Sequence, residues 1–279
     1  MDNSDFRIIY LFTDLLAPLI VGYLLYRHGK ISDALISRIL RLNVIIIYTV
    51  LALMSCWTLP ISWDLALIPV YGILIVLVPG VVGWAFFIRK YRSPLDRGAY
   101  LANAMMSNIT TLGGVCAYII YGEQGFAYAQ IMGIFQTLLL VLAVFPMAQY
   151  YYLQYKNHGS GGKIHIRFLD IFLSWNQLSI LGMAAGLALN AAGIERPPAV
   201  GTAFEGLIHF GAWFGMLPVG ALVNLHRARR YAPYTLDLFA LRFLILPVFM
   251  MAIAYPFVGD PVLLGAILVF SVTPGAINS

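Results

Sequence analysis

Two short polar clusters sit inside apolar stretches of this chain, and both coincide with residues that interrupt helices. The first reads Asn103-Ala-Met-Met-Ser107-Asn108-Ile-Thr110-Thr111-Leu-Gly113-Gly114, the second Ser271-Val-Thr273-Pro274-Gly275-Ala-Ile-Asn278-Ser279. Proline removes a backbone donor and clashes with the preceding turn, and paired glycines permit the chain to leave helical geometry. Backbone groups freed in this way inside a bilayer need partners from protein or from a water-filled cavity. Asn, Ser and Thr beside the breaks are what such a cavity requires. Taken singly, each reads equally well as a hydrogen bond between packed helices. Paired interruptions at corresponding places in two halves of a chain point instead to a transporter binding site. The candidate binding residues are therefore Asn103, Asn108, Thr110, Thr111, Gly113, Thr273, Pro274, Gly275 and Asn278. Half-helix N-termini at such a site offer N–H groups and a positive dipole end to a carboxylate.

Ionisable side chains inside the spans form a second group, because charge is costly in lipid and tends to be functional there. Asp14 lies well inside the first apolar stretch. Glu205 and His209 are four apart and share one helix face, and an unperturbed imidazole titrates near neutrality. These three are candidate proton-coupling residues. The alternatives are hydration of Glu205 near the outer end and an interhelical hydrogen bond for His209. Arg242 stands near the end of an apolar stretch and reads as a snorkelling residue, with attraction of an anion into an inner vestibule as the alternative. Cys56 and Cys116 have the spacing of neither a disulfide framework nor a metal site, so no metal and no cofactor is expected. An intramembrane protease or zinc enzyme needs more than the Glu205/His209 pair offers, and the chain reads as a non-enzyme.

The elements that position these residues follow from hydropathy and loop charge. The chain is 61% hydrophobic and 10% charged, against roughly a quarter charged in soluble domains. About twenty apolar residues are needed per crossing, and nine stretches meet that length, the fourth at Ala99–Tyr121 and the ninth from about Val262. Four Lys/Arg lie in the loop Arg27–Arg41, four in Arg89–Arg97, three in Lys156–Arg167 and three in Arg227–Arg230, while the intervening loops together hold one. Cytoplasmic loops are the ones enriched in Lys/Arg. The pattern predicts an all-α polytopic membrane protein with its N-terminus outside, in a bacterial cytoplasmic (inner) membrane. The basic residues contact lipid head groups, and nucleic acid is excluded as a partner. The first apolar stretch lacks a cleavage site and is retained as a helix. The amphipathic segment Ile31–Arg41 either lies at the interface or extends the second span, and the second reading is preferred.

The flexible stretch Gly159-Ser160-Gly161-Gly162 divides the chain into a first five-helix repeat (1–155), a cytoplasmic linker (156–166) and an incomplete second repeat (167–279). An offset of 164 places Gly22 on Gly186 and Gly29 on Gly193, and an offset of 168 places Pro79 on Pro247. An odd number of helices per repeat inverts the second against the first, the architecture of many secondary transporters. The second repeat is expected to lack its tenth helix, as in a truncated sequence.

The segments Asn103–Ile131 and Pro261–Ser279 resemble the fourth and ninth helices of the auxin efflux carrier family. "APLIVGYLLYRHGKIS", "LGMAAGLALNAAGI", "FGMLPVGALV" and "LRFLILP" resemble it in the same order along the whole chain. The resemblance implies a ten-helix fold of the bile-acid-symporter and sodium/proton-antiporter type. In that fold two inverted repeats of five helices cross through broken helices 4 and 9, and one module moves against the other. Members export organic anions such as auxin or small carboxylates. Many members carry a proline shortly after the helix 4 glycine, where this chain has Gly114-Val115-Cys116, so glycine is expected to bend the first break. The expected function is efflux of a small organic anion by alternating access. A sodium-coupled symporter is the runner-up and a non-transporting sensor the third reading. Proton and sodium are the candidate coupling ions, and a homodimer is left open.

Overall fold

The computed structural model describes residues 9–156, 178–223 and 235–275. The linker beyond Lys156, and Asn278, lie outside the described residues. Helix is the regular structure throughout them, with no strand, and four helical runs are long and apolar enough to cross a membrane: Asp33–Trp57, Trp63–Lys90, Ile109–Lys156 and Leu236–Ala254. This is an all-α integral membrane protein.

In chain order the α-helices are α1 (Ala17–Arg27), α2 (Asp33–Leu42), α3 (Tyr48–Trp57), α4 (Ile68–Val82), α5 (Pro94–Met105) and α6 (Gly114–Leu139). They continue as α7 (Phe145–Lys156), α8 (Leu178–Ala191), α9 (Pro198–Leu222), α10 (Leu236–Ala240), α11 (Leu246–Ala254) and α12 (Pro261–Ser271). The amphipathic segment runs through α2 and a π-turn into α3 as one helical run, Asp33–Trp57, and so extends the second span. Local chemistry explains the boundaries. Pro94, Pro198 and Pro261 open helices, where a missing N–H is harmless. Ser32 and Asp260 cap N-termini by accepting from Leu35 N–H and Val262 N–H. A turn at Gly122 (φ 71) divides α6; only glycine adopts that geometry without strain.

The helix ends at Gly29 (φ 67) and Gly193 (φ 68) are built alike. Gly29 N–H donates to Tyr26 O and Lys30 N–H to Leu25 O, while Gly193 N–H donates to Asn190 O and Ile194 N–H to Leu189 O. Both are left-handed C-caps of the Schellman type.

Among the described residues six π-turns interrupt the α-helical runs, at Leu11–Leu16, Asn43–Ile47, Gly83–Phe87, Ile109–Gly113, Leu140–Val144 and Leu241–Ile245. Asp14, Asn43 and Arg242, all buried, fall within three of them. Such one-turn widenings recur at functional sites.

The chain divides into two compact units, each drawing on both sequence halves. The first holds α1, α2, α3, α8, α9 and the part of α6 before residue 132. Its core gathers Tyr48, Leu51, Phe126, Phe204 and Ile208, with a second cluster of Leu15, Val115, Ile119, Ala212 and Met216. Glycines bring its helices together. Side chains added at Gly22 and Gly220 would strike the carbonyls of Leu217 and Leu19, joining α1 to α9. Those added at Gly182 and Gly186 would strike the carbonyls of Thr49 and Leu53, joining α8 to α3. Small residues at helix interfaces permit this backbone approach in lipid.

The second unit holds α4, α5, the rest of α6, α7, α10, α11 and α12. Ile88, Tyr100, Leu101 and Tyr151 form a cluster within it. Large apolar residues such as Phe86 and Val248 remain exposed, as surfaces facing lipid require.

Candidate functional site

Helix α5 stops at Met105, and Met106 is extended (φ −87, ψ 127). Ser107 forms an isolated antiparallel bridge with Gly275, and Asn108 N–H donates to Pro274 O at 3.0 Å. Helix α12 has already ended at Ser271, so Thr273 and Pro274 are also outside helical geometry. Two interrupted segments of the second unit thus satisfy each other's backbone. Pro274 has no N–H to offer, and its contribution is the carbonyl.

Side chains complete the accounting of the carbonyls set free at the break. Gln136 Nε2 donates to Ser107 O, and Arg242 Nη2 donates to Met106 O and, at 2.6 Å, to Ser107 Oγ. Ser107, Gln136 and Arg242 are all buried. Arg242 does not snorkel: it is 2% exposed. Its Nε and Nη1 have no acceptor, and no carboxylate pairs with it among the described residues. Asp237, earlier on the same helical run, is engaged by Lys90 at 3.5 Å and by Tyr91 OH at 3.2 Å.

The predicted polar residues distribute as follows. Asn103 Nδ2 donates back to Ala99 O at 3.0 Å, and Gly275 packs against the Asn103 side chain. Thr273 Oγ1 donates to Phe270 O at 2.7 Å, so its hydroxyl proton is committed to its own helix. Thr110, Thr111 and Gly113 belong to the first unit. There Thr110 O accepts from Gln130 Nε2 at 3.3 Å, and Thr111 lies with Asn43 and Tyr48 around Gly215. The expectation that glycine bends the first break is not met. Gly113 sits in a π-turn, and a Cβ added at Gly114, the first residue of α6, would lie 3.3 Å from the Phe126 ring, so smallness for packing explains Gly114. The break falls at Met106–Asn108, where Pro274 O, Gln136 and Arg242 supply the partners a helix would otherwise provide.

In the first unit His209 Nδ1 meets Asp14 Oδ2, not Glu205, which is exposed. Asp14 also accepts from Thr13 Oγ1 at 3.3 Å. Tyr10 lies over the imidazole with ring centroids 4.5 Å apart, and Tyr118 meets it edge-on at 6.1 Å. A shared helix face puts Glu205 and His209 on the same side of α9, but the π-turn Leu11–Leu16 supplies the closer and better-buried acid. An open cleft in the same unit is lined by Trp57, Thr58, Asn190 and Arg196. Two of its polar groups are already partnered, Arg196 with Glu123 in a bidentate pair at 2.6 and 3.1 Å, Trp57 Nε1 with Ile194 O. No group of three or more His, Cys, Asp or Glu gathers among the described residues.

Sequence reasoning missed Gln136, Gln130 and the burial of Arg242. A glutamine inside an apolar helix is a usable signal for the first two; nothing local marks the third. No protein-family model matches the chain, and no curated protein sequence matches it.

Proposed function

We propose that this protein is a secondary carrier of a small organic anion, working by alternating access, with the substrate held beside the interruption at Met106–Asn108. The observation that carries the reading is the backbone pairing of two interrupted segments, Asn108 N–H to Pro274 O and Ser107 with Gly275. Continuous helices need no such bond, and non-helical backbone at membrane depth is tolerated where it lines a cavity or is buried in protein. The surrounding donors are Asn103, Asn108, Gln136, Ser107 and Arg242.

The reading includes two inverted repeats, 1–155 and 167–279, whose fourth and ninth helices cross, as in the auxin efflux carriers the sequence resembles. Contact geometry supports it. An offset of 164 turns Gly22 into Gly186 and Leu53 into Leu217, and the contacts Gly22–Leu217 O and Gly186–Leu53 O exchange under it. The same offset carries the C-cap hydrogen bonds at Gly29 onto those at Gly193. An offset of 168 turns Ser107 into Gly275, its own bridge partner. Loop charge adds a cytoplasmic-membrane setting with the N-terminus outside. The Asp14–His209 pair is the candidate proton-exchanging group, since a buried acid–imidazole pair is a common proton relay in carriers.

A sodium-coupled symporter is the second reading, because freed carbonyls are natural sodium ligands. Met106 O and Ser107 O already accept from Arg242 and Gln136, which ranks it below the anion reading. Reconstituted proteoliposomes decide between them. Radiolabelled carboxylate uptake is expected without sodium, and Asn108→Ala should weaken it by about 1.5–3 kcal/mol, roughly ten- to hundredfold. Asn108→Asp should be worse, adding repulsion to the lost donor. Absence of carboxylate uptake sinks the reading; uptake that needs sodium and survives Asn108→Asp puts the symporter first.

A further inference from the structure

Arg242 carries a charge that the carrier reading does not yet use. It is 2% exposed, only Nη2 is bonded, and Nε and Nη1 face no acceptor among the described residues. A guanidinium stays protonated under any working condition, and a buried charge without a partner is strongly unfavourable. Its neighbours do not neutralise it: a backbone carbonyl and a hydroxyl oxygen hold one nitrogen, while Asp237 is taken by Lys90 and Tyr91. Because the guanidinium is planar, fixing Nη2 on Met106 O and Ser107 Oγ also fixes the directions of the remaining N–H groups. Ser107 Oγ accepts from Arg242 and keeps its own O–H to donate. The break therefore presents a cation and a hydroxyl donor already oriented, and no carboxylate among the described residues meets them.

We propose that Arg242 is the counter-ion of the transported anion, and that its single charge makes the substrate a monovalent carboxylate. This rests on the carrier reading above. One carboxylate accepts from Nε–H or Nη1–H, which point to different edges of the plane, and from Ser107 O–H, and the pair enters the membrane interior neutral. A dicarboxylate brings a second charge with no fixed partner, and desolvating that charge opposes binding. A lipid phosphodiester is also a singly charged oxyanion, so the test must separate the two sources.

The test uses delipidated protein in detergent, with butyrate and succinate as probes that share a four-carbon chain and differ by one charge. Wild type is expected to bind butyrate at least about tenfold more tightly than succinate. Arg242→Gln should lose at least about thirtyfold in butyrate affinity, and Arg242→Lys, which keeps the charge without the fork, should retain part of it. Undiminished butyrate binding by R242Q overturns the proposal, as does equal wild-type affinity for the two probes. Phosphatidylglycerol that copurifies with wild type, is absent from R242Q and is not displaced by butyrate assigns the cation to a lipid and overturns it too. If R242Q does not fold, R242K and the wild-type butyrate-to-succinate ratio decide. Carboxylate transport that persists in R242Q removes this inference alone. A wild type that neither binds nor transports any carboxylate removes the carrier reading beneath it.

Discussion

The two compact units hold their helices together by different means. In the first, glycines at 22, 182, 186 and 220 press against backbone carbonyls of the facing helix. In the second, the atoms nearest to glycines 72, 80, 83 and 98 belong to side chains: Phe135, Met105, Tyr100 and Tyr151. A backbone carbonyl cannot move without moving its helix, whereas a methionine can change rotamer. The difference extends to buried charge. Asp14 in the first unit is answered by His209. Arg242 in the second has two nitrogens unanswered among the described residues. Close-packed backbone with a satisfied acid–imidazole pair is the construction of a rigid element. Interrupted helices with a cation unanswered among the described residues are what the proposed binding element would use. Strain and unmet polarity persist where function requires them.

The sharpest way to break this contrast is a matched pair of substitutions, Gly22→Ala and Gly80→Ala. The first puts a methyl group against the Leu217 carbonyl; the second meets Met105 Cγ at 2.8 Å and Sδ at 2.9 Å, which can turn away. Overpacking of a core costs about 1–3 kcal/mol and occasionally more. G22A is expected at or above the upper end of that range and G80A below about 1 kcal/mol, read from denaturant unfolding in mixed micelles. Equal losses would erase the distinction between the units.

His209→Leu comes next. Removing one partner of a buried pair costs about 3–5 kcal/mol. The His209 side chain is 29% exposed, which places the expected loss at the lower end. The D14N/H209L double variant should lose little more than either single one, because the two side chains act as a unit. Additive losses in a thermal-melt cycle would show that the pair is not coupled. Gln136→Ala leaves the buried Ser107 carbonyl without its donor, an expected cost of about 1–3 kcal/mol. Carboxylate transport should fall with it, while Gln130→Ala, whose bond to Thr110 O is 3.3 Å long, should cost less on both counts. The smallest effect tests the repeat itself. Gly29→Ala and Gly193→Ala each force a side chain into the left-handed region at about 1–2 kcal/mol. The two losses should agree within about 0.5 kcal/mol, and a clear inequality would break the equivalence at an offset of 164.

Much of the helical framework was legible from local residues. Proline at a first turn, Ser32 and Asp260 as N-caps, and glycine at 29 and 193 act through the backbone within a few positions, so reading the chain finds them. Hydropathy identifies membrane helices because every polar backbone group in lipid must be satisfied inside its own segment. The break in the fourth span was also legible as to its helix, though not as to its residues: Gly113 and Gly114 looked like the bend, and Met106–Asn108 is where it falls. Local propensity says which residues tolerate leaving a helix. It does not say where Pro274 O, Gln136 Nε2 and Arg242 Nη2 wait to replace the lost bonds. The same limit governs the charged groups. Glu205 and His209 were paired by spacing along one helix, but Asp14, 195 residues away in sequence, is the actual partner. Arg242 read as a snorkelling side chain until packing buried it. By itself the sequence determined which segments are helices and where their ends are capped, because those choices depend on neighbours along the chain. Only the tertiary structure decided which polar atoms are answered and which are left open, because hydrogen bonds and ion pairs between helices depend on distances in space.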